Sequence, residues 1–467
     1  MHVRNVVLTA LLPLAIVTTA RAETTPVSAY TLDVAFQPSE SHMNGVATVS
    51  FVSPIAAGTT TTCYLHGELN VDSILANGQQ VEIKQDKVFH PFDYSLIATK
   101  VDLGPFGAPT STIAVYYSGY FHASNARSPS DYMRIDDDGV FLRAYGYSPW
   151  FPIFLEGRHD VPSVDFPDVT IRTPEPYISV FAGHKLAETV AQGERVTRWR
   201  AEKVKLYAAQ CTAQKFATTT SGNVVLYHYT DTASEAAAQA IVTLTQELTT
   251  DYAHNYRHTS AADECYIMEM PEYGDISSGN VTGLIYSTWQ QFTQNENAQR
   301  ALAHELVHPF VAVPVSVDDS LWSLAIEGFP SYFHLPILER YLGRDFYDHF
   351  LGSMESRYIK KRKSGVDRRG DKLPVEKPLL AIGADEMSEY KDTFVLSDRV
   401  LLFFDWLRRK MGDDQFFAFT SDMFNQASLT TQSFRDLIEK YLPGSRADVH
   451  EWLETNDYPD TFHFARQ

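Results

Sequence analysis

The sequence predicts a multidomain chain of two classes: an N-terminal all-β sandwich or saddle over residues 23–221, then an α+β unit over 222–467. Three observations carry that division. The chain has 467 residues, more than one ordinary domain holds and enough for two or three. From Tyr30 to about Ser221, short apolar–polar alternations recur at turn-length spacing, the pattern of packed antiparallel sheets. Past Ser221-Gly222 the period changes to isolated strands and long stretches whose apolar residues return every third or fourth position.

Taken in order, residues 1–22 read as a secretory signal peptide. His2 and Arg4 start it, residues 6–16 form a mostly apolar core, and Ala20-Arg21-Ala22 gives a small-x-small cleavage pattern. That core falls short of the about 20 residues a bilayer span needs. The expectation is an exported protein, periplasmic or extracellular, with no membrane anchor after cleavage. Strands follow over 30–36 and 45–51, on either side of a polar turn at Pro38. A strand over 69–75 ends at Asn77-Gly78, a hairpin signal. Residues 112–117, 169–172, 177–181 and 196–199 read as further strands. Residues 128–138 read as a solvated loop, and the run Asp136-Asp137-Asp138 lacks the positional pattern of a calcium loop.

In the second unit, 224–229, 266–270 and 283–286 read as strands. A long helix over 234–257 sets Ala237, Ile241, Leu244 and Leu248 on one stripe. Another helix begins near Asn297. A third starts after Asp318-Asp319-Ser320, which offers three N-cap candidates. The basic run Lys360-Lys361-Arg362-Lys363, with Arg368-Arg369, reads as a solvated loop, and residues 395–411 and 434–441 read as helices.

The chain is 44% hydrophobic and 21% charged, normal for a soluble protein with real cores. Its net charge of −19 argues against nucleic acid or anionic lipid as a partner. Three cysteines allow at most one disulfide, for which Cys63 and Cys211 fall in the same half, and buried free thiols are the expectation.

Chemistry concentrates in Ala303-His304-Glu305-Leu306-Val307-His308. On a helix both imidazoles leave one face, one turn apart, and Glu305 is rotated by about 100° from them. This is the H-E-x-x-H arrangement of zinc hydrolases, with two histidine ligands and a glutamate general base. A third ligand must come from elsewhere, and Glu327, nineteen positions after His308, completes a His2Glu set. A core helix with two satisfied histidines is the competing reading. A second helix carrying Glu327-Gly328-Phe329 and Tyr332-Phe333 weighs against it.

At these residues the chain resembles the gluzincin zinc metallopeptidases of the aminopeptidase N type. Their signature is H-E-x-x-H, eighteen intervening residues, then Glu in a Glu-Gly-Phe context, and this chain has that spacing. The resemblance implies a thermolysin-like catalytic domain behind an all-β domain, one zinc ion per chain, and a peptide or protein substrate hydrolysed with Glu305 as base. The opening strand pair, a Tyr117-Ser-Gly-Tyr120 turn and Trp150-Phe-Pro152 look like the family's N-terminal domain. The resemblance also implies a tyrosine hydroxyl that stabilises the oxyanion, roughly sixty residues after the glutamate ligand. Tyr390 stands sixty-three residues after Glu327, whereas aligning the next helix on Val400-Leu401 puts Phe394 at that position.

The chain departs from the family at other points. The segment that grips a substrate's free amine aligns with Ser277-Ser-Gly-Asn-Val281, so Asn280 stands where the family has glutamate. Glu269 and Glu272 are the nearby candidates to replace it. Pro309 and Pro330 occupy positions usually held by glutamine and a small residue. Because Pro309 has no N–H, the helix should bend or end there. The leading expectation is therefore an exported zinc metallopeptidase. The alternative is a zinc-binding relative that no longer cleaves and serves as a peptide- or protein-binding module.

Overall fold

The alternation over residues 30–51 becomes the middle of an eight-stranded sheet. The computed structural model describes residues 27–90, 93–121, 133–142, 150–154, 163–206, 209, 211–229, 235–256, 265–269, 284–287, 295–311, 316–366, 372, 376–382 and 398–456. The signal segment, Glu272, Asn280, Tyr390 and Phe394 lie outside the described residues. In spatial order the sheet's strands are His184–Ala191, Glu194–Lys205, Ser163–Pro174, Val27–Gln37, His42–Ile55, Thr110–Tyr120, Leu69–Ala76 and Gln79–Gln80. Every neighbouring pair is antiparallel except Val27–Gln37 with Ser163–Pro174, where Leu32 faces Val169. Tyr30, Leu32, Val34 and Phe36 turn inward while Thr31 and Asp33 face water, the two-residue period of a half-buried strand.

Two smaller sheets share this core. One joins Thr61–His66, Asp93–Leu103 and Ile83–His90; the other joins Ile178–Phe181, Cys211–Gln214, Gly139–Leu142 and Met133–Asp136. Val49, Val101, Ile135, Trp150, Phe166 and Trp199 meet between them. All three cysteines are buried and none forms a disulfide, and burial pushes their thiols up, Cys265 to about 12. None is therefore a ready thiolate.

Two loop expectations are corrected here. Thr110–Tyr120 runs straight through the expected turn at Tyr117–Tyr120, with Gly119 in register with Met43 on one side and Leu69 on the other. A Cβ on Gly119 would lie 2.3 Å from the Glu68 carbonyl oxygen, so this glycine permits close approach of strands and breaks nothing. Residues 133–136 are a strand as well. The acidic run is its hairpin tip, where Asp136 Oδ1 accepts from the backbone N–H of Asp138 and Gly139.

A third sheet, ordered Ala217–Ser221, Val224–His228, Cys265–Glu269 and Leu284–Ser287, joins the two halves. Alternation sorts its faces. Val224, Leu226, Cys265 and Ile267 bury against helices, whereas Tyr227, Tyr266 and Met268 bury against the β core. Tyr266 packs edge-on to Trp199 at 5.2 Å, tying this sheet to the large one.

Nine described helices complete the second half: α1 Glu235–Tyr256, α2 Glu296–Val311, α3 Asp319–Ser323, α4 Phe329–Leu342, α5 Arg344–Ser364, α6 Val400–Met411, α7 Asp413–Phe424, α8 Thr431–Tyr441 and α9 Arg446–Glu454. Phe329, Phe333, Phe404, Phe416 and Phe424 form an aromatic centre around α4. Lys360–Lys363 is not a loop: Phe346, Leu351, Met354 and Tyr358 bury one stripe of α5, and the basic residues fill its last turn. Cations there complement the exposed carbonyls of the helix end, and Gly365 at φ 67° closes it. Among the described residues no helix is long and apolar enough to cross a membrane.

Candidate metal centre

Burial of one face of α2 fixes where the other face points. Leu302, Ala303, Leu306, Val307 and Phe310 enter the helical core, and the Tyr252 hydroxyl donates to the Ala303 carbonyl at 3.0 Å. His304 and His308 are left on the opposite flank. Pro309 does not end the helix at once: α2 continues to Val311, so the missing bond to the Glu305 carbonyl costs only the last turn.

Glu327 arrives from a separate stretch. Asp318 caps α3, accepting from Leu321 N–H at 3.0 Å, and also accepts the Thr431 N–H at 2.7 Å, which anchors the start of α8. Between α3 and α4 the chain makes one wide π-helical turn, Leu324–Gly328, with Glu327 inside it. Pro330 follows in the first turn of α4. It has no N–H for the Ile326 carbonyl, and a wide turn relieves the clash its ring would cause. Gly328 lets this turn lie on α6, since a Cβ there would come 2.9 Å from Val400 Cγ1.

The two stretches converge. His304 Nε2 lies 3.3 Å from His308 Nε2 and 3.8 Å from Glu327 Oε2, and the three ligand atoms all fall within 4.8 Å of one another. A tetrahedral ion with bonds of about 2.1 Å needs its ligand atoms about 3.4 Å apart, so the set fits a divalent metal with small adjustments. Glu305 Oε2 stands 3.9 Å from His308 Nε2, beside the cluster.

No protein-family model matches the chain, and no curated protein matches it by sequence. Solved structures do match. An M1 zinc metallopeptidase mutant from Deinococcus radiodurans is similar at TM-score 0.65 and 17% identity, covering 94% of this chain and 96% of that one. A mutant of that enzyme bound to a Tyr-Ser-Ala substrate matches at TM-score 0.64 and 18% identity over the same shares. Native yeast LTA4 hydrolase matches at TM-score 0.67 and 14% identity, over 94% of this chain and 69% of that one. The chain has the two-domain fold of the M1 zinc metallopeptidases.

Within this M1 fold the cluster's electrostatics suit a metal. Burial, then the neighbouring His308 and His334 rings and the Arg300 charge, hold His304 well below the ordinary imidazole range. Burial pushes His308 down to about 4. Both rings are neutral at pH 7 and present the lone pairs that metal binding requires.

Two residues near the cluster escaped sequence reasoning. His334 on α4 is fully buried, its ring 5.5 Å from that of His304, and its Nδ1 donates to the Pro330 carbonyl at 2.7 Å. Its place seven residues after Glu327, two turns along a helix, was the available signal. Arg300 lies one turn before His304 on α2, and nothing in the sequence marked it. Of the candidates to replace the amine-binding glutamate, Glu269 is buried and accepts the Tyr229 backbone N–H at 2.7 Å. That oxygen is committed to the backbone.

Proposed function

We propose that the protein is an exported zinc-dependent metallopeptidase. His304, His308 and Glu327 hold one zinc ion, and Glu305 is the general base. The observation that supports this most is the convergence of three ligand atoms within 4.8 Å from two separate segments, with Glu305 alongside. Two neutral imidazoles and one carboxylate are the donor set of a catalytic zinc site, which keeps a position open. The peptide substrate is supported by the M1 fold and by the Tyr-Ser-Ala substrate bound to a structural neighbour. Export rests on residues 1–22, with their basic start, apolar core and Ala20-Arg21-Ala22.

Zinc, when bound, supplies an electropositive centre that acidifies water and polarises a carbonyl. The chain's own part follows. Glu305 takes the proton of the attacking water as its oxygen bonds to the peptide carbon. It then delivers that proton to the departing amine as the C–N bond breaks, so one carboxylate serves as base and then acid. Tyr390 is the proposed donor to the oxyanion on the substrate. With Asn280 in place of the amine-gripping glutamate, the charge-assisted hold on a free N-terminus is lost. Specificity is thus proposed to extend to N-blocked peptides.

The test compares aminoacyl reporters with N-blocked peptides of the same sequence, using wild type and Glu305→Gln, with and without chelator. Zinc-dependent cleavage that collapses in the variant is the expected result. Cleavage at an unchanged rate in Glu305→Gln would contradict the proposal.

A further inference from the structure

Among the described arginines of the helical half, Arg300 alone makes no hydrogen bond or ion pair within the described residues. Arg340, Arg344, Arg357, Arg362, Arg399 and Arg408 each meet a carboxylate. Arg300 instead lays its guanidinium 4.9 Å over the Phe350 ring of α5, and its Nε is buried with no acceptor. The charge it senses is Arg357, of the same sign and already bound to Asp398. An arginine cannot shed its proton to escape burial, so an unanswered guanidinium is costly until a counter-charge arrives. Stacking on an aromatic face orients the fork but supplies only part of that compensation.

Its position ties it to the metal centre. Arg300 precedes His304 by four residues, so it projects from the same flank of α2, roughly 6 Å along the axis. In an extended peptide one or two residues span roughly 3.5–7 Å. A group that far beyond the cleaved bond falls within reach of Arg300.

We propose that Arg300 is an anion-binding subsite of this centre, and that the anion is the C-terminal carboxylate of a short peptide lying one or two residues beyond the scissile bond. The peptide origin of the anion rests on the peptidase reading above; the subsite itself does not. A compact inorganic anion offers the same chemistry from solvent, and the experiment separates the two sources.

Binding is measured on full-length, zinc-loaded protein in the uncleaving Glu305→Gln background, using one tripeptide as its free acid and as its C-terminal amide. The acid should bind roughly tenfold tighter than the amide, the scale of one charge-assisted bidentate contact. In the double variant with Arg300→Met that preference should vanish while amide affinity is unchanged, and Arg300→Lys should keep part of it. A parallel arm follows melting temperature against sodium chloride. A chloride-dependent rise that needs Arg300, without any acid–amide preference, would overturn the carboxylate assignment and leave an inorganic anion as the ligand. Absence of both effects would overturn the subsite. If neither peptide binds, the peptidase reading is what has failed, and the chloride arm still decides whether the subsite exists. Arg300→Met should melt no lower than its parent in chloride-free buffer, because it removes an unpaired charge. A lower melting point would assign Arg300 a structural role and contradict the proposal.

Discussion

Two clusters of buried polar side chains sit in the helical half, and only one answers its charges internally. Arg399 donates to Glu376 at 3.0 Å and to the carbonyls of Trp452 and Thr455 at 2.8 and 2.7 Å, closing the end of α9. Beside it Arg357 meets Asp398, and Arg408 bridges Glu339 and Asp413. Around α2 the pattern inverts. His304 and His308 turn their nitrogens toward each other at 3.3 Å, and among the described residues neither His334 Nε2 nor Arg300 Nε has a hydrogen-bond partner. A network that holds the fold answers its charges within the chain. A site prepared for a guest leaves them open, and the fold tolerates that cost only where function requires it.

The comparison can be broken from either side, and the largest effect belongs to catalysis. Glu305→Gln should lower peptide cleavage by about 10²–10⁴-fold with zinc content unchanged; steady-state assays with metal analysis read both. On the self-sufficient side, Arg399→Met strands the Glu376 carboxylate and the carbonyls ending α9. It should cost about 3–5 kcal/mol in urea unfolding. A loss below about 1 kcal/mol would mean that the two clusters are not different in kind.

Acid sharpens the contrast in metal-free protein. Folded His308 and His334 take up protons only near 4 and 3, whereas unfolded histidine does so near its ordinary value of about 6.5. Between those values the unfolded chain binds more protons. Stability is therefore full above about pH 6.5 and falls as pH drops toward 4, by about 1.4 kcal/mol per pH unit for each histidine. His334→Gln should flatten that slope by one proton, read from melting curves in chelator across pH 4–7. The smallest effect is expected from Pro330→Ala. Restoring an N–H removes the reason for the wide turn that carries Glu327, and zinc affinity should drop roughly tenfold. Unaltered affinity would show that Pro330 does not set the turn.

The candidate site was legible because its chemistry dictates spacing. Two ligands on one helix face must stand four apart, and both histidines and Glu327 meet where the motif required. The β half was legible as alternation, and Asn77-Gly78 as a turn, with Asn77 and Gly78 at φ 51° and 77°. Misreadings came where one residue type serves two physical ends. Gly119 looked like a turn former but allows strands to approach. The lysines near α5's end looked like a solvated loop, although the buried stripe before them had already committed the chain to helix. Ala217–Ser221 alternates too weakly in hydrophobicity to announce an edge strand, and it forms by pairing with Val224–His228. His334 offered only its helical spacing from Glu327 and Arg300 offered nothing, because what distinguishes them among the described residues is the missing partner, and that is a fact of tertiary packing.

Zinc uptake tests the central claim most directly. Chelator-treated protein is titrated with zinc by calorimetry, alongside His304→Ala, His308→Ala, Glu327→Gln and Glu305→Gln. The account predicts one tight zinc per chain in the parent and in Glu305→Gln, and loss or severe weakening in the three ligand variants. A parent that takes up no stoichiometric zinc, or a His304→Ala protein that binds it as tightly as the parent, would contradict it.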